Sequence, residues 1–202
     1  MFAGNSYLQY TIAEVDSIRH STDIELELML DDKDGLVLWL GVDPTADDYL
    51  GLGVEDGLVK LVWNLGWFSR TELIIPDLNL TDSSWHRVII ERLGQQLEVS
   101  VDEVRYSSTV HGTYHQLDTS NILMIGSANN DLLVQDLTRG HFSQGFQVAS
   151  SKIQLISNMY VSGLYEEYSH HGSVCRHYRG SAAAGAEYHG VFSCLGEYLA
   201  FK

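Results

Sequence analysis

Residues 48–64 read Asp-Tyr-Leu-Gly-Leu-Gly-Val-Glu-Asp-Gly-Leu-Val-Lys-Leu-Val-Trp-Asn: two apolar runs joined through Glu55-Asp56-Gly57. An Asp-Gly pair between apolar runs is a strong short-range signal for a β-hairpin. If Asp56-Gly57 is the two-residue turn, paired positions sum to 113, so residue 55 faces 58 and residue 48 faces 65. Asp48 then lies opposite Leu65 at the open end of the hairpin, where a carboxylate and a backbone carbonyl meet.

The same grammar extends upstream. Residues 24–30 (IELELML) put Ile24, Leu26, Leu28 and Leu30 on one face and Glu25 and Glu27 on the other, the period of a half-buried strand. Asp31 to Gly35 reads as a turn. Residues 36–40 (LVLWL) are apolar throughout, as in a strand buried on both faces. Downstream, Pro76 and the polar run 77–84 break the chain. Residues 86–92 and 97–101 then flank a second hairpin turn at 93–96, a loop follows, and 121–126 (NILMIG) is a further strand. At least seven short strands are expected, with no convincing amphipathic helix before residue 147. That pattern favours an all-β antiparallel β-sandwich. Trp39 and Trp85 read as core residues of their strands.

Composition narrows the function. The chain has 202 residues, enough for one domain with a sizeable core. With 27 acidic and 12 basic residues the formal net charge is −15. Phosphate backbones are repelled, so nucleic acid is excluded as a partner. Heparin and other sulfated polysaccharides are disfavoured for the same reason, whereas divalent cations and basic partners are favoured. No apolar run approaches the roughly 18 residues of a membrane span, so no membrane insertion is expected. Residues 1–7 carry no signal-peptide pattern, which suits a fragment of a longer protein. The acidity is uneven: residues 1–150 hold eight basic and 23 acidic side chains, while residues 151–202 hold four of each.

In their order, several of these stretches resemble the laminin G-like family (laminin, neurexin and sex-hormone-binding globulin). Phe2 to Leu8 resembles its opening strand, Asp34-Gly35-Leu36-Val37-Leu38-Trp39 its "GLLLW/Y" strand, and Asp48 to Gly66 its central hairpin. Trp85-His86-Arg87-Val88 with Glu91-Arg92 resembles its "WH-V---R" strand, and Leu123-Met124-Ile125-Gly126 its "LYIGG" strand. The resemblance spans about residues 2–146. It implies a jelly-roll, concanavalin-like sandwich over 1–146, as in perlecan and agrin, and an atypical C-terminal segment over 147–202. The family's closing Phe-x-Gly-Cys strand is altered. His141 to Phe146 falls where it should begin but no Cys follows, and Val191 to Glu197 is the alternative, displaced strand. Cys175 and Cys194 are the candidate disulfide, two free thiols being equally consistent with the residues.

The resemblance also implies a calcium site. In this family a carboxylate at the position of Asp48 and a carbonyl at Leu65 are joined by a second carbonyl and a second carboxylate. Counting back from Gly126 places these at Gln116 and Asp118. Calcium prefers such hard oxygen ligands, and so few protein charges imply weak binding, on the order of 10⁻⁴ to 10⁻³ M. Asp43, Asp47 and Asp131 are additional rim charges, and in a chain rich in Asp any of these can equally be a solvated turn residue. Trp67 and Phe68 follow the hairpin and are candidate ligand-rim aromatics, with core packing as the alternative. Asn79-Leu80-Thr81 is an N-glycosylation sequon. His170, His171, Cys175 and His177 match no zinc spacing.

Catalysis is not expected. Sandwich glycosidases place carboxylates at alternate positions of one strand, whereas Glu98 and Asp102 are four apart, and no nucleophile elbow, P-loop or H-E-x-x-H is present. The expectation is therefore a secreted, extracellular, non-catalytic adhesion module. It would bind a cell-surface receptor or a matrix glycan or protein at a calcium-bearing rim. A metal-independent spacer or protein-binding sandwich is the alternative, and a sandwich lectin or glycosidase a third.

Overall fold

The computed structural model describes residues 7–12, 15–30, 32–41, 48–66, 70–76, 78, 80–128, 131–145, 152–156, 167–168, 175–178, 191–194 and 197–199. The strands are β1 (Tyr7–Thr11), β2 (Ser21–Met29), β3 (Gly35–Gly41), β4 (Tyr49–Glu55), β5 (Leu58–Asn64), β6 (Thr71–Ile75), β7 (His86–Leu93) and β8 (Gln96–Val101). They continue as β9 (Val104–Thr109), β10 (Ile122–Ile125), β11 (Lys152–Ile156), β12 (Glu167–Tyr168), β13 (Cys175–Tyr178), β14 (Val191–Cys194) and β15 (Glu197–Leu199). One sheet runs β12-β1-β10-β3-β4-β5-β6 and the other β11-β2-β7-β8-β9, with antiparallel neighbours throughout. Beyond residue 147, β11 thus lies beside β2 and β12 beside β1, while β13-β14-β15 form a separate small sheet.

The inter-sheet core follows from the alternation. Ile24, Leu26, Leu28 and Leu30 of the β2 segment are fully buried, and Val88, Ile90, Val99 and Val101 bury beside them. They meet Leu38, Leu40, Leu50, Leu52, Leu61 and Trp63 from the opposing sheet in one cluster. The β4–β5 hairpin has the expected register, with Glu55 opposite Leu58 and Tyr49 opposite Asn64. Asp56 and Gly57 both have positive φ (52° and 78°), as a type I′ turn requires.

Strand β3 is buried along its whole length, and a second apolar cluster explains why. Leu36, Trp39, Tyr49, Val62 and Met124 pack with Val134 and Phe142 in a cluster apart from the inter-sheet core. This cover includes α2 (Asp131–Thr138), a helix the periodicity analysis did not anticipate; a second, α1 (Val15–His20), precedes β2. Both correct the expectation of no helix before residue 147. At six and eight residues they are too short to show a 3.6-residue repeat in a window of 11–18 residues. Tyr49 Oη donates to the carbonyl of Leu137 at the end of α2 (2.9 Å). Glu55 accepts from Phe142 N (2.7 Å) and Lys60 Nζ (2.6 Å) and pairs with His141 Nδ1 at 2.9 Å. A Cβ on Gly53 would stand 2.4 Å from the Phe142 ring and 2.7 Å from the Gly35 carbonyl oxygen, so only glycine allows this close approach.

Two further expectations are corrected. Trp85 is 48% exposed and not core; it precedes β7 in the 82–85 bend, outside the alternating ladder. The loop expected after residue 101 contains the edge strand β9, whose side chains are mostly exposed and carry no apolar alternation. Its turn, Asp102-Glu103, has positive φ at both residues without glycine, a conformation that costs on the order of 1–3 kcal/mol per residue. Hydrogen bonds hold it. Asp102 accepts from Arg87 N (2.8 Å) and pairs with His86 Nδ1 (2.6 Å), while His86 Nε2 meets Asp82 (3.0 Å).

Both imidazole nitrogens can donate only in the protonated ring. Burial pushes the His86 imidazole down, but its hydrogen bonds to the Asp102 and Asp82 carboxylates outweigh this, so its pKa lies above the ordinary 6.5. Stability from this clasp is fully present below pH 6.5 and lost as pH rises through the raised value. Asp82, held below 3.8 chiefly by the His86 hydrogen bond, contributes above 3.8 and loses its share as pH falls through its lowered value. Melting curves of the wild type and His86→Gln should therefore differ most between about pH 4 and 6.5 and converge only as pH rises through the raised His86 value; a constant gap to pH 9 would contradict this.

Candidate cation-binding rim

The open end of the β4–β5 hairpin places Asp48 beside the last pair, Tyr49 and Asn64, with Leu65 across from it. Asp48 is buried, and a buried carboxylate needs partners. Its Oδ2 accepts from the backbone N–H of Asp118 at 2.7 Å. Its Oδ1 lies 3.1 Å from where a Cβ on Gly66 would stand, a tight approach, and Gly66 has φ +93°, a backbone conformation that favours glycine. The buried Leu65 thus leads into a turn that wraps the Asp48 carboxylate.

The second ligand stretch approaches from the loop before β10. Asp118 Oδ1 accepts from Arg19 Nε at 2.7 Å, the two side chains being 49% and 43% exposed. Leu117 N donates to the Arg19 carbonyl (2.9 Å), and Gln116 Nε2 stands 3.5 Å from His20 Nε2. The structure therefore brings Asp48, the Leu65-Gly66 turn and the 116–118 stretch to one rim. It also adds α1, which the sequence reading did not place there. Among the described residues no group of three or more His, Cys, Asp or Glu side chains is arranged to hold a metal. Two carboxylates with two carbonyls fall below that number, so backbone oxygens would have to complete any cation site.

Behind the rim lies Arg92, 2% exposed. Its guanidinium donates to the carbonyls of Ile18 (2.6 Å), Arg19 (3.1 Å) and Gly94 (3.0 Å) and to Thr22 Oγ1. Those first two carbonyls belong to the last turn of α1, where orphan acceptors and the helix dipole both favour a cation. Burial pushes the guanidinium down to about 10, with the Asp48 charge pushing back, so it remains charged at neutral pH. Arg92 was legible in principle. Counting by two from Val88 and Ile90 puts residue 92 on the core face, where a charge demands a reason. Nothing in the sequence marked Arg19.

Other expected site residues fall elsewhere. Trp67, Phe68, Asn79, Asp43 and Asp47 lie outside the described residues, and Asp131 begins α2. Cys175 and Cys194 stand directly opposite each other in the β13–β14 register. The two carboxylates weighed for catalysis are engaged in pairs, Glu98 with Arg105 (2.8 Å) and Asp102 with His86 (2.6 Å), as is Glu25 with Arg87 (2.6 Å).

The chain is a two-sheet antiparallel sandwich with acidic residues at one loop rim, and comparison with known proteins gives its family. The Laminin G domain family model matches residues 31–148, and the chain belongs to that family. The basement membrane-specific heparan sulfate proteoglycan core protein of Mus musculus is 34% identical over 126 residues, 60% of this chain and 3% of that protein. Pikachurin of Homo sapiens is 28% identical over 168 residues, 80% of this chain and 16% of that protein. The chain therefore spans a small part of the length of such relatives. In structure it is similar to domains LG4-5 of the mouse laminin alpha1 chain, with a TM-score of 0.62 and 18% identity over 87% of this chain and 50% of that one. At that identity the match shows a shared fold.

Arg92→Met should lower stability by about 2–4 kcal/mol, because three carbonyls and a hydroxyl each lose a charged donor and the Asp48 charge loses its nearby cation. The amides of Gly94 and Leu117, bonded to the carbonyls of His20 and Arg19, should exchange faster with solvent. An unchanged denaturant midpoint would show that Arg92 does not hold this end together.

Proposed function

We propose that the chain is an extracellular, non-catalytic recognition module that binds a cell-surface receptor or a matrix glycan or protein at this rim, with calcium as part of the binding surface. The observation carrying the reading is the contact of Asp48 Oδ2 with Asp118 N. It joins two acidic residues seventy positions apart at the mouth of one hairpin, in a member of a family found in matrix proteins. The donor set fits the ion: Asp48 and Asp118 would supply carboxylates, and Leu65 and Gln116 carbonyls, all hard oxygens. A bound calcium would supply a positive centre to which an acidic sugar or protein group attaches. The net charge of −15 supports a partner that reaches the surface through a cation and disfavours heparin. Asn79 would carry an N-linked glycan in a secreted protein, and Trp67 and Phe68 would add apolar contact beside the rim.

One observation favours the metal-independent alternative. Asp118 is engaged by Arg19, as a solvated rim acid in a structural spacer would be. Calorimetric titration decides between them. The wild type should take up calcium with a Kd on the order of 10⁻⁴ to 10⁻³ M, and Asp48→Ala with Asp118→Ala should abolish the heat. Equal heats in both proteins would leave the spacer reading standing.

We further propose that 1–146 carries recognition and that 147–202 is the atypical segment, stapled by a Cys175–Cys194 disulfide. Directly opposed residues in an antiparallel pair have Cα atoms about 4.5–5.5 Å apart, within the range a disulfide spans. Mass spectrometry of the secreted protein should find the two cysteines linked; two alkylatable thiols would refute the bridge.

A further inference from the structure

We infer that Arg19 is a built-in competitor for calcium at Asp118, so that its guanidinium sets the cation affinity of the rim; this rests on the calcium reading above. Arg19 meets the ligand stretch twice, through its carbonyl to Leu117 N (2.9 Å) and through Nε to Asp118 Oδ1 (2.7 Å). Its backbone does not drift, because buried Arg92 donates to the carbonyls of Ile18 and Arg19. The usual entropy cost of an exposed ion pair is therefore partly met in advance: one side chain, not two whole segments, has to be ordered.

A dication and a guanidinium cannot both take full advantage of one carboxylate. Calcium bound between Asp48 and Asp118 would face a positive charge within hydrogen-bonding distance of its own ligand. Arg19 must therefore turn away or share, and either lowers affinity. The competition acts at Asp118, while Asp48 is buried and its Oδ2 is held by backbone. The rim thus carries one fixed anionic ligand and one ligand whose occupancy is exchangeable between side chain and ion. Once displaced, the Arg19 guanidinium stands at the rim beside the ion, available to an anionic group on the partner.

The test is calcium titration of the full chain as wild type, Arg19→Gln, Asp118→Asn and the double variant, by calorimetry and by calcium-dependent melting temperature. Arg19→Gln should bind calcium about three- to fivefold tighter, the upper part of the scale on which an exposed ion pair acts. In the Asp118→Asn background the same substitution should gain less than about twofold. Binding seen only in Arg19→Gln would also support the proposal, as a site unmasked. Unchanged or weaker affinity in Arg19→Gln, with wild type binding, would overturn the competitor role and leave the calcium reading intact. An equal gain in both backgrounds would also overturn it, by showing a general charge effect. No uptake by either wild type or Arg19→Gln would overturn the competitor and the calcium reading together. Melting temperatures without calcium show that each variant is folded.

Discussion

The centre of the seven-stranded sheet is apolar on both faces, and much of the molecule is arranged to keep water from each. One face is served by the five-stranded sheet, in the ordinary way of a sandwich. The other is served by Val134 of α2 and by Phe142, with Trp39, Tyr49 and Met124 in the same cluster. Glu55 binds the His141-Phe142 turn back to the β4–β5 hairpin. That hairpin is consequently gripped from both sides, and its register is not free to slip, since a one-residue shift would exchange the side chains fitted to the inter-sheet core with those fitted to the α2–Phe142 cover. The rim at its open end inherits that rigidity.

Rigidity of the hairpin explains how an acidic group is tolerated at low exposure. Asp48 is buried beside the Leu65-Gly66 turn, its charge met by a backbone N–H and felt by the nearby Arg92. Arg92 in turn lies where α1 ends, and its donors add to those that Thr22 Oγ1 and Leu117 N give the Ile18 and Arg19 carbonyls. Removing either charge would leave the other in a poorly hydrated setting. The rim is thus a polar structure of several members, and the two sheets supply the fixed frame on which it is drawn.

The frame was legible in the sequence because strand periodicity is local. Residues 24–30 and 86–92 state their inward faces directly, and Asp56-Gly57 states both the turn and its register, which places Asp48 across from Leu65. Short helices were not legible, because α1 and α2 lack enough turns to establish a repeat. Trp85 was misread because an aromatic beside an apolar strand looks like core, although the strand begins one residue later. The approach of the 116–118 stretch to Asp48 could be anticipated only through family resemblance. It is a contact across seventy residues, and no local pattern encodes it.

The Arg19–Asp118 pair belongs to that same illegible class, and the rivalry proposed for it has a physical logic of its own. A chain with a formal charge of −15 attracts divalent ions to its whole surface, so a rim built only of acids would be filled indiscriminately. On the proposed reading, an arginine pinned by its backbone beside one ligand would raise the threshold at that place alone. Occupancy would then be weak and exchangeable, because the bond from Asp118 N to Asp48 Oδ2 holds the loop and only the half-exposed Asp118–Arg19 pair would have to rearrange. A rim of that kind would respond to calcium without the fold having to move.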